Sequence, residues 1–333
     1  MKRIDCRLGI TIGDPAGIGP EVALRAVNDL RDDSIVPVII GRYDVLERHY
    51  GDLIAGYSHI EAGFSAKEIS PGSRYIFDMP LQFPLPQPGA GSRDTGAESL
   101  AYIDAAIDLW KNGLVDGVVT APVSKGYIEK SGCRFTGHTE YIADALHEPY
   151  PYMMMYSQHY RVLLVTTHLP LERVAATIDG DMILRTIYEG HRAIAAIDGG
   201  SVRMAITGLD PHCGDDGAIG KFDAEVTAPA VRAAREKGIN IEGPFAADTI
   251  FLPERWKRYN LVISHYHDQG LIPFKMMAFD SGVNVTLGLP IVRTSADHGT
   301  AYDIAGKRSA MHTSMREAIV LASRLVAARR PQE

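Results

Sequence analysis

Three histidines follow aliphatic runs at comparable places in the sequence: His168, His212 and His267. Neutral imidazoles that converge from separate segments form a divalent-metal site with open positions, where substrate oxygens can bind and be polarised. A single histidine at a strand end is more often structural. His265 also competes with His267, because residues two apart on a strand share a face. The pattern predicts a metal site at the ends of three strands.

A second group of residues could hold an anion. The segment 136–140, Thr-Gly-His-Thr-Glu, opens a predicted helix, whose N–H groups and positive dipole end favour negative charge. Lys275, Asn284 and Arg293 stand in or near strand-like segments and could bind a carboxylate and a phosphate. Such Lys and Arg side chains are usually solvated surface charges, whereas Asn284, between two valines, needs a hydrogen-bonding partner.

Two loop-like segments have open interpretations. Residues 13–21, Gly-Asp-Pro-Ala-Gly-Ile-Gly-Pro-Glu, follow a strand and open a helix, but they match neither a dinucleotide fingerprint nor a P-loop. Taken alone, they indicate an ordinary strand-to-helix turn. Residues 297–307 are small and polar, and they fit either a cofactor loop or a simple turn.

The elements that must position these residues alternate along the chain. Buried parallel strands are predicted at residues 8–12, 36–40, 118–120, 162–166, 204–207 and 261–264. Between them, Thr95 with Glu98 and Ser314 with Glu317 have the spacing of helix capping boxes, and Gly113 fits a left-handed helix end. This alternation predicts an α/β protein, in which ligands gather beyond the carboxyl ends of the strands.

Composition narrows the functional classes. A chain of 333 residues favours two domains, and its net charge of −7 argues against general nucleic-acid binding. Three widely spaced cysteines favour a reducing compartment over a disulfide framework. No apolar run is long enough to span a bilayer, and the N-terminal residues do not have the pattern of a signal peptide. We therefore expect a soluble cytoplasmic protein without membrane contacts.

Several motifs together resemble the 4-hydroxythreonine-4-phosphate dehydrogenase family of pyridoxal-phosphate biosynthesis. The matching segments run in family order at residues 12–21, 137–140, 166–170, 210–212, 266–270, 282–290 and 298–300. The first and last are also similar to loops of isocitrate and isopropylmalate dehydrogenases. The sequence departs from the usual family pattern at Asp210, at Cys213 and at the pair Ser264-His265.

The resemblance implies a two-domain, non-Rossmann α/β fold of the isocitrate/isopropylmalate dehydrogenase type, with the active site in the interdomain cleft. We expect one domain at residues 1–128 plus 283–333, on the nucleotide side, and a second at 129–282, with the metal ligands and dimer contacts. The family similarity further implies a homodimer with the active site at the subunit interface.

The resemblance also implies roles for individual residues. The metal ligands correspond to His168, His212 and His267. The substrate contacts correspond to His138, Thr139, Lys275, Asn284 and Arg293. The cofactor loops include Gly13, Asp14, His298, Gly299, Thr300 and Asp303. The general base is unassigned among Lys275, Asp248 and Asp268.

The activity implied is oxidation of the secondary alcohol of 4-phosphohydroxy-L-threonine by NAD or NADP, with one divalent ion (Zn, Mg, Co or Mn). Decarboxylation to 3-amino-2-oxopropyl phosphate is expected to follow. An erythronate or threonate 4-phosphate dehydrogenase is the competing hypothesis within the family. Two further hypotheses are a metal-dependent hydrolase or lyase of sugar-acid phosphates that does not use NAD, and a non-catalytic binding protein.

Overall fold

The computed structural model describes residues 6–330, and strands and helices alternate through them. Strands β1 to β12 of the described chain are Cys6–Thr11, Ile35–Gly41, Ser58–Ile60, Tyr75–Asp78, Gly117–Thr120, Tyr152–Tyr156, Arg161–Leu164, Met204–Thr207, Ile241–Phe245, Leu261–Ser264, Val283–Leu287 and Val292–Ala296. All six strands predicted from apolar runs are present, and the α/β class is confirmed.

The α-helices lie between strands, except for α12, which follows the last strand. Helices α1 to α12 of the same residues are Gly19–Asn28, Tyr43–Tyr50, Arg93–Lys111, Lys125–Lys130, His138–Ala145, Leu171–Thr177, Gly180–Asp198, Ala228–Glu236, Ala247–Ile250, Pro253–Trp256, His267–Ala278 and Thr313–Arg329. Over residues 6–330, none of these helices has both the length and the apolar character needed to cross a membrane.

The chain divides into two compact units. Within the described chain, the first contains residues 6–151 and 289–330, and the second contains residues 152–288. These limits differ from the expected ones, which lay after residue 128 and before residue 283; residues 1–5 and 331–333 of the expected first domain lie outside the described part. Helix α5 belongs to the first unit, where the Tyr141 hydroxyl donates to Asp104 of α3. Strand β11 belongs to the second unit because it pairs with β6.

The first unit is built on a parallel sheet of six described strands in the order β3-β4-β2-β1-β5-β12. Strands β2 and β5 are buried along their whole length, and β1 is buried except at Arg7, as expected for aliphatic central strands. Because β1, β5 and β12 are neighbours and run in the same direction, the segments that follow them emerge at one edge of the sheet.

The second unit has a mixed sheet of six described strands in the order β11-β6-β7-β10-β8-β9. The β11–β6 and β6–β7 pairs are antiparallel, and the others are parallel. Strands β7, β10 and β8 are adjacent, and the three histidine-bearing segments follow these strands. The hydrophobic core of the second unit includes Trp256 and Phe274, which are fully buried.

Two helix starts differ from the sequence-based expectation. The N-cap of α3 is Ser92, three residues before the expected cap Thr95: the Ser92 hydroxyl accepts from the Thr95 backbone N–H, and the Thr95 hydroxyl accepts from the Ser92 N–H. Glu98 is instead buried and accepts a hydrogen bond from Arg42. Helix α12 follows His312, and the Ser314 hydroxyl accepts from the Asp297 N–H. Both expected capping boxes are therefore wrong, because Glu98 binds Arg42 and Ser314 binds Asp297 instead of the helix starts. Gly113 is left-handed (φ 67°), as expected.

Close packing of α3 against α4 gives a stability prediction. A Cβ on Gly96 would lie 2.3 Å from the backbone of Tyr127. We expect Gly96→Ala to lower the free energy of unfolding by about 1–3 kcal/mol, the usual cost of overpacking. Gly180→Ala is the control, because Gly180 also lies in a helix and has nothing within 4 Å of its Cβ position. Equal denaturation midpoints for both variants would contradict the prediction.

Candidate functional site

The strand ends of the second unit are joined by hydrogen bonds just before the histidine-bearing segments begin. After β7, the backbone N–H of Val165 donates to the carbonyl of Ser264. The N–H and the hydroxyl of Thr166 both donate to the carbonyl of His265, at 3.0 and 2.7 Å. The segments that continue to His168 and His267 therefore start from a fixed backbone arrangement.

Two of the three predicted metal ligands lie together. The ring centroids of His168 and His267 are 5.8 Å apart, with a tilt of 41° between the ring planes. Both side chains line a cavity that also contacts Tyr266 and Asp268. Nδ1 of His267 is hydrogen-bonded to Oδ1 of Asp268 at 2.7 Å, which assigns the opposite nitrogen, Nε2, to any metal. A carboxylate behind an imidazole is the usual support of a metal-binding histidine.

The third predicted ligand, His212, lies on an exposed turn with unusual backbone geometry. Residues 212–216 all have positive φ, and Gly214 is the single glycine among them. The turn is held at its start, where the carboxylate of Asp223 accepts from the N–H groups of Leu209 and Asp210, each at 2.9 Å. The Asp210 carboxylate accepts from the N–H of Phe222. His212 thus has a defined backbone position, but within the described chain no ring contact joins it to the other two histidines.

The donor chemistry fits a divalent metal in part. His168 and His267 supply two imidazoles with the separation and support that such a site needs. Within residues 6–330, however, no three His, Cys, Asp or Glu side chains are close enough to hold one ion. The structure brings two predicted ligands together and leaves the third apart.

His265, the competitor of His267, is fully buried and faces protein groups. Its ring nitrogens lie 3.3 Å from the hydroxyl of Thr207 and 3.1 Å from the hydroxyl of Thr227. Burial lowers the pKa of His265 to about 4, so the ring is uncharged at neutral pH. Both nitrogens have partners in the protein interior, which distinguishes His265 from its neighbour His267.

In the first unit, Arg293 forms the centre of a cationic cluster. It is buried in β12, where Nη2 donates to the Thr120 hydroxyl at 2.7 Å and Nη1 to the Thr139 hydroxyl at 3.5 Å. Burial lowers the pKa of Arg293 to about 10, against the opposing effect of Glu140. The guanidinium therefore stays protonated at neutral pH, and it lies close to the start of α5.

His138 starts α5 and is uncharged in this environment. Burial, followed by the charges of Arg293 and Lys125, holds its pKa well below the usual range. Its Nε2 is buried and has no hydrogen-bond partner among the described residues. Two cations, an uncharged imidazole and a helix N-terminus provide what an anion needs. Lys125 was missed by the sequence analysis, although it follows the end of β5 and opens α4.

The other two expected substrate contacts lie in the second unit. Lys275 is half-buried on α11. Asn284 lies in β11 opposite Met155, and its buried Oδ1 has no hydrogen-bond partner in the described part of the chain. An unpaired amide oxygen inside a strand is unfavourable unless a ligand supplies the donor. Asn284 therefore remains a good candidate for a binding residue.

The expected cofactor residues form one connected structure in the first unit. Gly13 is left-handed (φ 67°), and a Cβ there would lie 2.2 Å from the carbonyl oxygen of Pro122. The Ile18 N–H donates to the Thr300 carbonyl at 2.9 Å, which joins the turn at 13–19 to the loop at 297–307. Gly299 and Asp303 are exposed on that loop. Nε2 of His298 is buried and has no hydrogen-bond partner in the described chain.

Asp14 has its partners inside the protein. Its carboxylate accepts hydrogen bonds from the Tyr302 hydroxyl at 2.7 Å, the Thr95 hydroxyl at 3.2 Å and the Ala16 N–H at 2.9 Å. The side chain is fully buried, and burial raises its pKa despite these bonds. Asp14 therefore holds the loop through Tyr302, a role that the motif alone did not distinguish from cofactor contact.

The three candidate bases differ in their surroundings. Asp268 is hydrogen-bonded to His267. Asp248 is exposed on α9, and its charge helps to raise the pKa of Cys213, after the larger effects of burial and Asp223. Asp248 is therefore near the turn that carries His212, whereas Lys275 lies on the helix that His267 starts.

Comparison with known proteins shows similarity over nearly the whole chain. Residues 33–322 match the family model described as pyridoxal phosphate biosynthetic protein PdxA. The 4-hydroxythreonine-4-phosphate dehydrogenase of Desulforapulum autotrophicum is 41% identical over 331 residues, covering 95% of this chain and 94% of the relative. The crystal structure of the 4-hydroxythreonine-4-phosphate dehydrogenase of Klebsiella pneumoniae superposes with a TM-score of 0.83 at 33% sequence identity. The match covers 99% of this chain and 100% of the Klebsiella chain. The structure of a terephthalate 1,2-cis-dihydrodiol dehydrogenase from Burkholderia xenovorans has a TM-score of 0.68 at 25% sequence identity. The match covers 96% of this chain and 97% of the Burkholderia chain.

The cluster around Arg293 predicts a specific effect of Lys125 on anion binding. Inorganic phosphate, titrated calorimetrically, should bind Lys125→Met about tenfold or more weakly than the parent, because hydrogen bonds to charged groups contribute about 1.5–3 kcal/mol. The control is Lys130→Met, at the other end of α4, whose ammonium lies over the Tyr127 ring. If both variants bind phosphate alike, Lys125 has no part in the anion site.

Proposed function

The chain belongs to the PdxA family of pyridoxal phosphate biosynthetic proteins, and we propose that it oxidises the secondary alcohol of 4-phosphohydroxy-L-threonine with NAD⁺ or NADP⁺ as hydride acceptor. The single observation that carries the substrate assignment is the anion cluster of Arg293, Lys125 and uncharged His138. A phosphate ester needs such a cluster in a chain with a net charge of −7.

In this proposal, the phosphate group of the substrate binds to the cluster around Arg293. The hydrogen bond to Thr120 holds the Arg293 guanidinium in one position. A positive charge at a fixed position orients the bound phosphate. Nε2 of His138 is buried and has no hydrogen-bond partner within residues 6–330. An uncharged imidazole can donate one hydrogen bond to a phosphate oxygen without adding a third positive charge. Thr139 is the further contact at the start of α5.

The reacting alcohol is assigned to the predicted metal ligands. We assign His168, His267 and His212 as ligands of a divalent ion, which supplies a Lewis acid that lowers the pKa of an alcohol and stabilises negative charge on oxygen. Asp268 holds the His267 ring in orientation through Nδ1. Asn284 and Lys275 bind the substrate carboxylate and the polar groups next to it. The nicotinamide cofactor supplies the hydride acceptor, and the 13–19 turn and 297–307 loop are its binding segments.

The proton of the alcohol must leave as the hydride leaves the carbon. Asp268 is better suited to orient His267 than to accept that proton, because its carboxylate is already hydrogen-bonded to the ring. This leaves Lys275 and Asp248 as candidate bases. The product ketone is β to the carboxylate, so cleavage of the carbon–carbon bond releases CO₂ and leaves 3-amino-2-oxopropyl phosphate.

A homodimer is part of the proposal, and the exposed face of α11 supports it. Ile272, Met276 and Phe279 are 59%, 81% and 66% exposed, and their spacing places them on one side of the helix. A contiguous apolar stripe of this kind is typical of an interface. Because α11 starts at His267, a second copy bound here would lie close to the incomplete ligand set.

Turnover with the phosphorylated substrate tests the function. Purified protein with Zn²⁺, Mg²⁺, Co²⁺ or Mn²⁺, NAD⁺ or NADP⁺, and 4-phosphohydroxy-L-threonine should form reduced nucleotide and release CO₂. Erythronate and threonate 4-phosphates complete the panel, and preference for either would reassign the substrate within the family. Arg293→Met controls for contaminating dehydrogenases. Phosphate release without nucleotide reduction would favour a hydrolase, and binding without turnover a non-catalytic protein.

The stripe on α11 predicts the oligomeric state. The parent should be a dimer by light scattering after size-exclusion chromatography, and Met276→Glu should shift it toward the monomer, because a buried carboxylate is costly at an apolar interface. Met311→Glu is the matched control, since Met311 is a similarly exposed methionine, at 62%, in the first unit. A monomeric parent would remove the dimer from the proposal.

Mixing two inactive variants tests whether the ligands come from different subunits. His212→Ala and His267→Ala, refolded together, should recover activity if one site draws these residues from both chains, because a mixed dimer then contains one intact set. If all three ligands act within one chain, the mixture stays inactive, and the single-chain arrangement must change when the metal binds.

A further inference from the structure

His265 forms the centre of a buried polar network in the second unit. It directly follows β10, and its side chain is fully buried. Its Nδ1 faces the hydroxyl of Thr207, at the end of β8, and its Nε2 faces the hydroxyl of Thr227. The ring of Phe222 packs edge-on against the imidazole, with the centroids 5.8 Å apart. The motif resemblance gives this residue no function, and the pair Ser264-His265 is a departure from the usual family pattern.

The protons of the network can be placed by counting donors. Thr207 has one hydroxyl proton, and it goes to Oε1 of Gln269 at 2.7 Å. The Gln269 amide has a fixed orientation, because its Nε2 donates to the Gly208 carbonyl and its Oε1 accepts from the His265 N–H. The Thr207 oxygen can therefore only accept from the imidazole, so Nδ1 of His265 carries the proton.

The other ring nitrogen faces Thr227. Nε2 of His265 lies 3.1 Å from the Thr227 hydroxyl. The same hydroxyl donates to Oδ1 of Asp223 at 2.9 Å. The Asp223 carboxylate also accepts from the N–H groups of Leu209 and Asp210. Each ring nitrogen of His265 therefore lies within hydrogen-bonding distance of one threonine hydroxyl.

The network joins the three strand ends that precede the predicted metal ligands. The His265 carbonyl accepts from Thr166, two residues before His168. The Gln269 side chain bridges the His265 N–H and the Gly208 carbonyl. Through Thr227 the ring reaches the Asp223 carboxylate, which holds the start of the turn that carries His212. The His265 side chain thus contacts Thr207 and Thr227, which are connected to the 208–212 segment, whereas its backbone carbonyl makes the link to the 166–168 segment.

We propose that the His265 side chain is a positioning group that fixes the segments at 208–212 and 265–267 relative to one another, and so sets the metal affinity of the site. The proposal rests on the metal-dependent function proposed above. It gives His265 no contact with metal or substrate. Its effect is transmitted through the Thr207 and Thr227 hydroxyls and the Gln269 amide.

Metal affinity provides the first test. Co²⁺ binding to the metal-stripped protein, measured by competition with a chromophoric chelator, should be about 10–100-fold weaker in His265→Leu than in the parent, as for other residues that orient metal ligands. His265→Asn keeps a donor near the Nδ1 position and should recover part of the affinity. Thr186→Val is the control, because it also removes a buried hydroxyl of this unit, one that donates within α7 to Met182.

A purely structural role would lower the thermal midpoint of His265→Leu and leave its Co²⁺ affinity, measured below that midpoint, equal to that of the parent. That result would overturn the proposal. Partial recovery of Co²⁺ affinity in His265→Asn, with no loss of affinity in Thr186→Val, would support the proposal. General destabilisation would not produce this order of affinities among the three variants.

Amide hydrogen exchange tests the same residue without metal and separates the two proposals. In metal-free His265→Leu, residues 208–212 and 265–269 should exchange faster than in the parent, while the α7 amides should be unchanged. If the parent binds no Co²⁺ but this local acceleration is found, the metal function fails and the positioning of the segments stands. If exchange in both segments is unchanged, His265 does not position them.

Discussion

Neighbouring parallel strands end at the same edge of their sheet, and this constraint determines which distant residues of the chain meet. In the second unit, β7, β10 and β8 bring residues 166–168, 265–267 and 208–212 to one edge. In the first unit, β1 and β12 bring Ile18 and Thr300 into hydrogen-bonding contact across most of the chain length. The functional segments are irregular loops, but the rigid ladder beneath them fixes where each one starts.

Much of the scaffold could be predicted because buried parallel strands are uninterrupted aliphatic runs. The strands that were missed lack this signal. Strand β6 reads Tyr-Met-Met-Met-Tyr and pairs antiparallel on both sides, and β9 contains Gly243-Pro244, which locally predicts a turn. The start of α3 was misplaced because Thr95 and Glu98 satisfy the spacing of a capping box, whereas the folded chain uses Ser92 as the cap.

The candidate site residues also divide into those that the sequence identifies and those whose role depends on tertiary contacts. The histidines could be found because an imidazole at a strand end is chemically unusual. Asp14 and His265 have equally conspicuous positions in sequence, but their contacts with Tyr302 and Thr207 depend on tertiary structure. Lys125 was missed for the opposite reason: its position after a proline-containing turn looks ordinary, and only the fold places its charge close to His138. Sequence identifies groups capable of chemistry, and burial decides which of them face a ligand.

The turn that carries His212 shows how the incomplete metal set can be reconciled with a stable fold. Four non-glycine residues at 212–216 have left-handed backbone, which costs roughly 1–2 kcal/mol for each. The N–H bonds to Asp223 and the Asp210 bond to Phe222 offset part of this cost. A conformation maintained against its intrinsic preference gains most from a further ligand, because metal binding and ordering of the turn share one free energy. In the proposed metal site, the exposed His212 ring and the His168–His267 pair are therefore the two parts that metal binding or assembly would bring together.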